Sequence, residues 1–264
     1  MIPSGNGPLP LDAPSPGSSF TDLLDSMGAL PTVNFTAAEK ALSVPEGTTV
    51  LAMRYKEGVV MAGDRRATEG HLVAHRRIRK VFPADRFSAV AVAGTAGLAI
   101  DMVRLFQVEL EHYEKIEGVR LSLDGKASFL ARLVRNQLPL AFQGLAVVPM
   151  FAGYDESEGI GRLYSFDVVG GRYEEVDFGS TGSGSRLAKS YLRTVYREEL
   201  DADEAADFAV RALVSASQED TATGGPDLKR GIYPNVAQID VNGFVELGDD
   251  VVGPLAEQAV ETIR

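Results

Sequence analysis

The chain contains no cysteine, which removes disulfide scaffolds, thiolate metal sites and cysteine nucleophiles from consideration. Histidine is scarce. His71 and His75 stand four apart, but no carboxylate lies between them as in H-E-x-x-H, and His112 is distant, so no metal site is expected. Bases are outnumbered, 26 Lys and Arg against 37 Asp and Glu, giving a net charge of −11 that argues against nucleic acid as a principal ligand. No apolar run reaches membrane-spanning length. The N-terminus lacks a basic stretch followed by an apolar one, so it does not read as a secretory signal, and the Asn34-Phe35-Thr36 sequon is taken as chance. The expected setting is the cytoplasm, with no membrane partner and no cofactor. What remains is a chain of 264 residues, 45% hydrophobic, enough for one large domain with a tail or for two small domains.

The tail is residues 1–47. It holds seven of the thirteen prolines, and Pro8, Pro10, Pro14 and Pro16 forbid continuous helix or central strand there. Within it Phe20, Leu23, Leu24 and Met27 fall on helical spacing, an apolar stripe that could dock weakly. The β-pattern starts abruptly after Gly47-Thr48-Thr49. That boundary reads as a cleavage junction, because a new N-terminus at Thr48 would carry a hydroxyl and a free amine on one residue, a nucleophile with its own base. Gly-Thr-Thr also occurs in ordinary strands, so the residues downstream must decide.

Downstream, 49–55 and 58–64 read as a strand hairpin and 65–75 as a polar loop. A short strand at 79–82 is ended by Pro83, and 87–93 is an apolar run suited to a strand buried on both faces. Helices are expected at about 97–116, with Val103, Phe106, Leu110 and Tyr113 on one face, and at about 128–142, where Pro139 kinks or ends the helix. Strands return at 147–154, 161–168 and 172–178, with a tight turn at Gly170-Gly171. A Gly/Ser loop, 180–185, opens a helix over 185–200. Another helix starts at Asp203 as N-cap, a hairpin turns on Asn242-Gly243, and a last helix starts at Pro254. Strands and helices thus come in blocks, which points to an α+β fold with helices packed on antiparallel sheets.

Several polar residues sit oddly in this pattern. Asp64 ends the second strand and Lys80 lies sixteen residues on. Lys80 is either an exposed edge-strand charge or a buried ammonium paired to Asp64, which would favour ionisation of a nearby hydroxyl. Gly182-Ser183-Gly184-Ser185 opens a helix but lacks the Gly-Lys-Ser/Thr of a phosphate loop. It reads as a tight turn, with Ser183 free to present a hydroxyl to a site. Asp220 is either a helix-end residue, with Gly224 as C-cap, or a carboxylate returned to the nucleophile together with the Thr223 hydroxyl.

Taken together and in order, Gly47-Thr48-Thr49, Asp64-Arg65-Arg66-Ala67-Thr68, Lys80-Val81-Phe82, Gly94-Thr95-Ala96-Gly97, Gly182-Ser183-Gly184-Ser185 and Asp220 to Gly225 resemble the catalytic β subunit of the proteasome, an N-terminal-nucleophile hydrolase. The leader and Gly224-Gly225-Pro226-Asp227-Leu228 are most similar to the actinobacterial branch. The resemblance implies a four-layer αββα sandwich of two antiparallel sheets between helical layers. It implies a propeptide, 1–47, removed by autolysis from a catalytic domain, 48–264. It further implies α subunits and other β subunits as partners in stacked heptameric rings around a closed chamber, a ring-shaped ATPase cap, and substrates marked by a ubiquitin-like protein. By resemblance Thr48 is the nucleophile, Lys80 and Asp64 tune it, Gly94 offers an oxyanion N–H, and Ser183, Asp220 and Thr223 surround the amine. The substrate pocket maps to Ala67, Thr68, Ile78, Phe82, Val92, Ala96 and Ile100; none is charged, so cleavage after large apolar residues is expected.

Three rival readings fit less well. A non-catalytic cage subunit predicts loss of Thr48, Asp64 or Lys80, and all are present. The simpler two-ring bacterial ATP-dependent protease of the same fold has a shorter chain and almost no leader. Other amidohydrolases of this fold often use Ser or Cys, and the Asp64/Lys80 spacing suits them poorly.

Overall fold

The computed structural model describes residues 48–69 and 72–263. The readings placed on 1–47, including Gly47 and the apolar stripe, and on Gly70 and His71 lie outside the described residues. Two five-stranded antiparallel sheets form the centre. In the first, the order is β10-β1-β2-β11-β12; in the second it is β5-β6-β7-β8-β9. The first sheet comprises β1 (Thr49–Tyr55), β2 (Gly58–Gly63), β10 (Phe178–Gly182), β11 (Asn235–Asp240) and β12 (Gly243–Glu246). The second comprises β5 (Val81–Asp85), β6 (Ser88–Gly94), β7 (Val147–Asp155), β8 (Ile160–Phe166) and β9 (Arg172–Glu175).

Strand alternation sorts each side chain to one of two cores. Val50 and Ala52 of β1, Val59 and Met61 of β2, and Ala89 and Ala91 of β6 face the opposite sheet and meet Met150, Ala152 and Leu163. The intervening residues face outward under helices. Leu51, Met53 and Val60 pack beneath α4 (Ser185–Val195), α5 (Ala202–Glu219) and α6 (Asp249–Thr262). Val90, Val92 and Phe151 pack beneath α1 (Ala96–Glu117) and α2 (Leu123–Asn136). A one-turn helix, α3 (Leu138–Ala141), follows α2. The result is the expected αββα sandwich. Because both faces of each sheet are covered, its strands read as nearly unbroken apolar runs rather than as alternating ones.

Several boundaries differ from the sequence reading. The segment taken as a loop, 65–75, carries its own hairpin, β3 (Ala67–Glu69) with β4 (Leu72–His75), paired to neither main sheet. Pro83 lies inside β5 rather than ending it. It is tolerated because β5 is an edge strand, where a missing N–H faces no partner. Residues 178–182 form β10, paired with β1, where the sequence pattern gave a strand end and a loop. Tyr113 is 39% exposed and does not join the buried face of α1. Helix α2 starts earlier than expected, at the Ser122 cap. It breaks at Gln137, and Pro139 sits in the first turn of α3. Helix α4 ends at Val195, short of Leu200. Helix α6 starts after Gly248, with Pro254 inside it.

The cap of α5 is Asp201, not Asp203. Its carboxylate accepts from Glu204 N–H at 2.8 Å, while Glu204 reaches back to Asp201 N–H at 3.3 Å. Asp203 falls instead in the first turn, where it gains only from the helix dipole. The two differ in consequence. Asp201→Ala is expected to destabilise the chain by about 0.5–2 kcal/mol and Asp203→Ala by at most about 1 kcal/mol, as read from the denaturation midpoints of the two variants.

Candidate active site

Antiparallel pairing gathers the polar residues at one end of the sandwich. The start of β1 lies against the ends of β2 and β10, with Val50 opposite Gly63 and Thr49 opposite Gly182. In the other sheet, Lys80 immediately precedes β5, and its carbonyl accepts from Val92 N–H at 3.0 Å near the end of β6. Thr48, Asp64, Lys80, Gly94 and Ser183 are therefore strand-end neighbours although they span much of the chain.

Asp64 is the centre of this cluster and has no exposed surface. One carboxylate oxygen accepts from Thr49 N–H at 2.8 Å and from Lys80 Nζ at 2.6 Å. The other accepts from Arg66 N–H and Gly224 N–H, both at 2.9 Å. Lys80, 2% exposed, also donates to the Arg66 carbonyl at 2.6 Å. The edge-strand reading of Lys80 is thus replaced by the buried-pair reading. Burial pulls the Lys80 ammonium below its ordinary value, and the adjoining Asp64 carboxylate opposes that pull.

A second polar group lies on the other side of Thr48. The Thr48 carbonyl accepts from Ser183 N–H at 2.9 Å. Gly182 must be glycine, since φ is +101° and a Cβ there would sit 1.8 Å from that carbonyl oxygen. Ser183 Oγ and Thr223 Oγ1 both donate to one Asp220 oxygen at 2.5 Å, and Ala222 N–H donates to the other at 3.1 Å. Burial by itself would raise the Asp220 carboxyl; the Ser183 and Thr223 hydroxyls and the Ala222 N–H outweigh it and hold the group below its ordinary value. Asp220 is at once the C-cap of α5 and a member of this group. Gly224 is not the C-cap; its N–H is spent on Asp64.

Beside Thr48 is a small cavity lined by Ala67, Ile78, Arg79, Lys80, Val92, Gly94, Ala96, Ala99 and Ile100. Five of the seven expected pocket residues line it. Thr68 is buried in β3 away from the lining, and Phe82 turns to the core under α1 and α2. The lining also carries charge that sequence reasoning did not anticipate. Arg79 is committed to the Glu246 carboxylate at 2.5 Å and to the Val81 carbonyl at 2.9 Å. Gly94 has φ +107°, and a Cβ there would lie 2.1 Å from the Ala146 carbonyl oxygen.

Three supporting residues escaped the sequence reading. Thr49 and Arg66 lay inside the quoted motifs without an assigned part, and Asn235, whose Oδ1 accepts from Lys80 N–H at 3.2 Å, lay outside them. The Arg66 contact had a local signal, an Asp two residues before it at a strand end. Thr49 and Asn235 act across long sequence distances and had none. Among the described residues, no cluster of His, Asp or Glu could hold a metal ion and no helix is long and apolar enough to cross a membrane.

Residues 44–227 match the family model for proteasome subunits. A proteasome subunit beta from Acidothermus cellulolyticus is 50% identical over 98% of this chain and 92% of its own. One from Acidimicrobium ferrooxidans is 50% identical over 97% and 94%, and one from Streptomyces griseus is 48% identical over 97% and 92%.

Removing Lys80 would leave the Asp64 carboxylate buried without its cation. Truncating one partner of a buried ion pair typically costs about 3–5 kcal/mol. Asp64 keeps three backbone donors, so Lys80→Ala is expected near the lower end, about 3 kcal/mol, measured by chemical denaturation. A loss under about 0.5 kcal/mol, the range of surface substitutions, would contradict the buried pair.

Proposed function

The chain belongs to the proteasome subunit family and is a threonine peptidase, and on that premise we propose that Thr48 is its nucleophile, exposed by autocatalytic cleavage after Gly47. The observation that carries this reading is the Asp64 carboxylate, which grips the Thr49 N–H and the Lys80 ammonium together. That places a positive charge in the lining of the cavity that Thr48 enters.

Charge and geometry then do the chemistry. A threonine hydroxyl is a weak nucleophile until a base takes its proton. An ordinary free α-amino group titrates at about 7.7–8.0, so an amine of that kind on a mature Thr48 is partly neutral and can serve as the base, directly or through water. Lys80 lowers the cost of the alkoxide, and Asp64 keeps Lys80 charged and placed. Ser183, Asp220 and Thr223 order the region of the amine. The Gly94 N–H faces the developing oxyanion, where loss of one donor costs about 2.7–4 kcal/mol in another hydrolase. Thr48 Oγ attacks the scissile carbonyl, the C–N bond breaks, the amine product leaves with a proton, and water hydrolyses the Thr48 ester.

The same attack on the Gly47 carbonyl breaks the 47–48 C–N bond, which frees the Thr48 amine and leaves the leader as an ester on Thr48 Oγ; water then hydrolyses that ester, releasing residues 1–47 as an acid and regenerating the hydroxyl. Before that step Thr48 lacks its base, so the leader keeps the site silent. We place the subunit in the cytoplasm, in heptameric β rings stacked with α rings around a closed chamber. A ring-shaped ATPase feeds it proteins tagged with a ubiquitin-like modifier. The support for this part is family membership.

Ala67 and Ala96 leave room in the cavity, and its apolar walls favour burial of an apolar side chain by roughly 1.5–3 kcal/mol. Arg79 and Lys80 repel an arginine of the substrate, and because both are already paired they offer little to an aspartate. Cleavage is therefore directed after Leu, Tyr or Phe.

One experiment tests both parts. The chain is assembled with its α subunits as wild type and as Thr48→Ala, and each is weighed intact and assayed on fluorogenic peptides differing only before the scissile bond. The wild type should start at Thr48 and show its highest kcat/KM for Tyr or Leu. The variant should keep residues 1–47 and be inactive. A leader removed normally from Thr48→Ala would show another protease at work, and a preference for Arg or Asp would show the cavity misassigned.

A further inference from the structure

The Thr49 hydroxyl has no part in the chemistry above, yet Thr49 connects the Asp64 and Asp220 groups beside Thr48. Its N–H donates to Asp64 Oδ1 at 2.8 Å, on the Lys80 side. Its hydroxyl oxygen accepts from Gly184 N–H at 2.9 Å and lies 2.6 Å from Thr223 Oγ1, on the Asp220 side. The side chain has no exposed surface. Valine would fill the same space and suits a strand at least as well, so the hydroxyl calls for an explanation that strand formation does not supply.

The proton order along this chain is determined. Asp220 is held in its charged form and can only accept. Thr223 Oγ1, at 2.5 Å, must therefore donate its single proton to it. The proton in the Thr49–Thr223 contact then belongs to Thr49, whose oxygen is left to accept from Gly184. The sequence runs one way, from Gly184 N–H through Thr49 and Thr223 to Asp220. Ser183 closes it, donating to the same Asp220 oxygen while its N–H holds the Thr48 carbonyl.

We propose that the Thr49 hydroxyl is a positioning group for Thr48, one that locks the Ser183-Gly184 turn and the Thr223 proton toward Asp220 and so fixes the nucleophile between its two polar groups. The proposal rests on the reading of Thr48 as the nucleophile. Without the hydroxyl, the buried Gly184 N–H has no acceptor and Thr223 loses a donor, so the turn that carries Ser183 is released. Thr49 does not line the cavity, so the defect belongs in kcat and not in KM.

The test compares Thr49→Val and Thr49→Ser with wild type in the assembled, processed particle, using one fluorogenic peptide. Thr49→Val should lower kcat about tenfold, the effect of one lost hydrogen bond of ordinary strength. KM should stay within about twofold. Thr49→Ser, which keeps the hydroxyl, should restore kcat. Wild-type kcat in Thr49→Val would overturn the proposal, as would a change confined to KM. An equal loss in Thr49→Ser would do the same. If Thr49→Val does not assemble, Thr49→Ala takes its place with the same expected result. Activity surviving in Thr48→Ala would instead remove the underlying reading of Thr48, which keeps the two failures distinct.

Discussion

The site depends on a buried carboxylate that satisfies four donors at once. Asp64 holds the first backbone N–H of β1, the Lys80 ammonium, and the N–H groups of Arg66 and Gly224. An ionised carboxylate so deep in the protein is tolerable only when paired and fully hydrogen-bonded. That requirement is met by groups from four separate segments, so forming the Asp64 contacts and assembling the site are the same event. It also explains why a lysine survives with almost no access to water. Lys80 answers Asp64 and the Arg66 carbonyl, and it becomes a positive charge with a fixed address.

The surrounding sandwich supplies that address. Antiparallel order brings the start of β1 beside the ends of β2 and β10, and the start of β5 beside the end of β6. Thr48, Asp64, Lys80, Gly94 and Ser183 sit at strand termini, where the backbone leaves its ladder and its N–H and C=O groups become available to side chains, and Asp220 and Thr223 join them from the end of α5. The Ala-rich layer between the sheets, with Ala52, Ala89, Ala91, Ala152 and Ala237, lets them pack with little bulk between them. Helices on both outer faces leave the strand ends as the place where polar groups can gather.

Much of this was legible in the sequence. The block order of strands and helices pointed to helices packed on antiparallel sheets, while the four-layer arrangement and the grouping of Thr48, Asp64 and Lys80 into one site came from the resemblance to the proteasome β subunit. Boundaries failed where local rules were overridden by context. Pro83 was taken as a stop because its edge position was unknown, and Asp203 competed with Asp201 because two acids stand beside one helix start. The β3–β4 hairpin was missed because its strands are only three and four residues long and the apolar residues of β4 are exposed, so no inward-outward alternation marks it. Residues that act through backbone groups, such as Gly224, or across more than a hundred positions, such as Thr49 with Thr223, leave no local pattern to read. Cavity walls were mostly recovered by resemblance, but Arg79 was not, since a charged lining residue is apparent only once its pairing with Glu246 is seen.

The central claim is that Thr48 Oγ is the atom that becomes acylated. The direct measurement is to mix the processed particle with a slowly hydrolysed activated ester of a short apolar peptide, quench in acid, and locate the added acyl mass by fragment mass spectrometry. The account predicts one acyl group per active subunit, on the Thr48 side chain. An acyl group on Ser183 or on any other residue, or turnover without any covalent adduct, would contradict it.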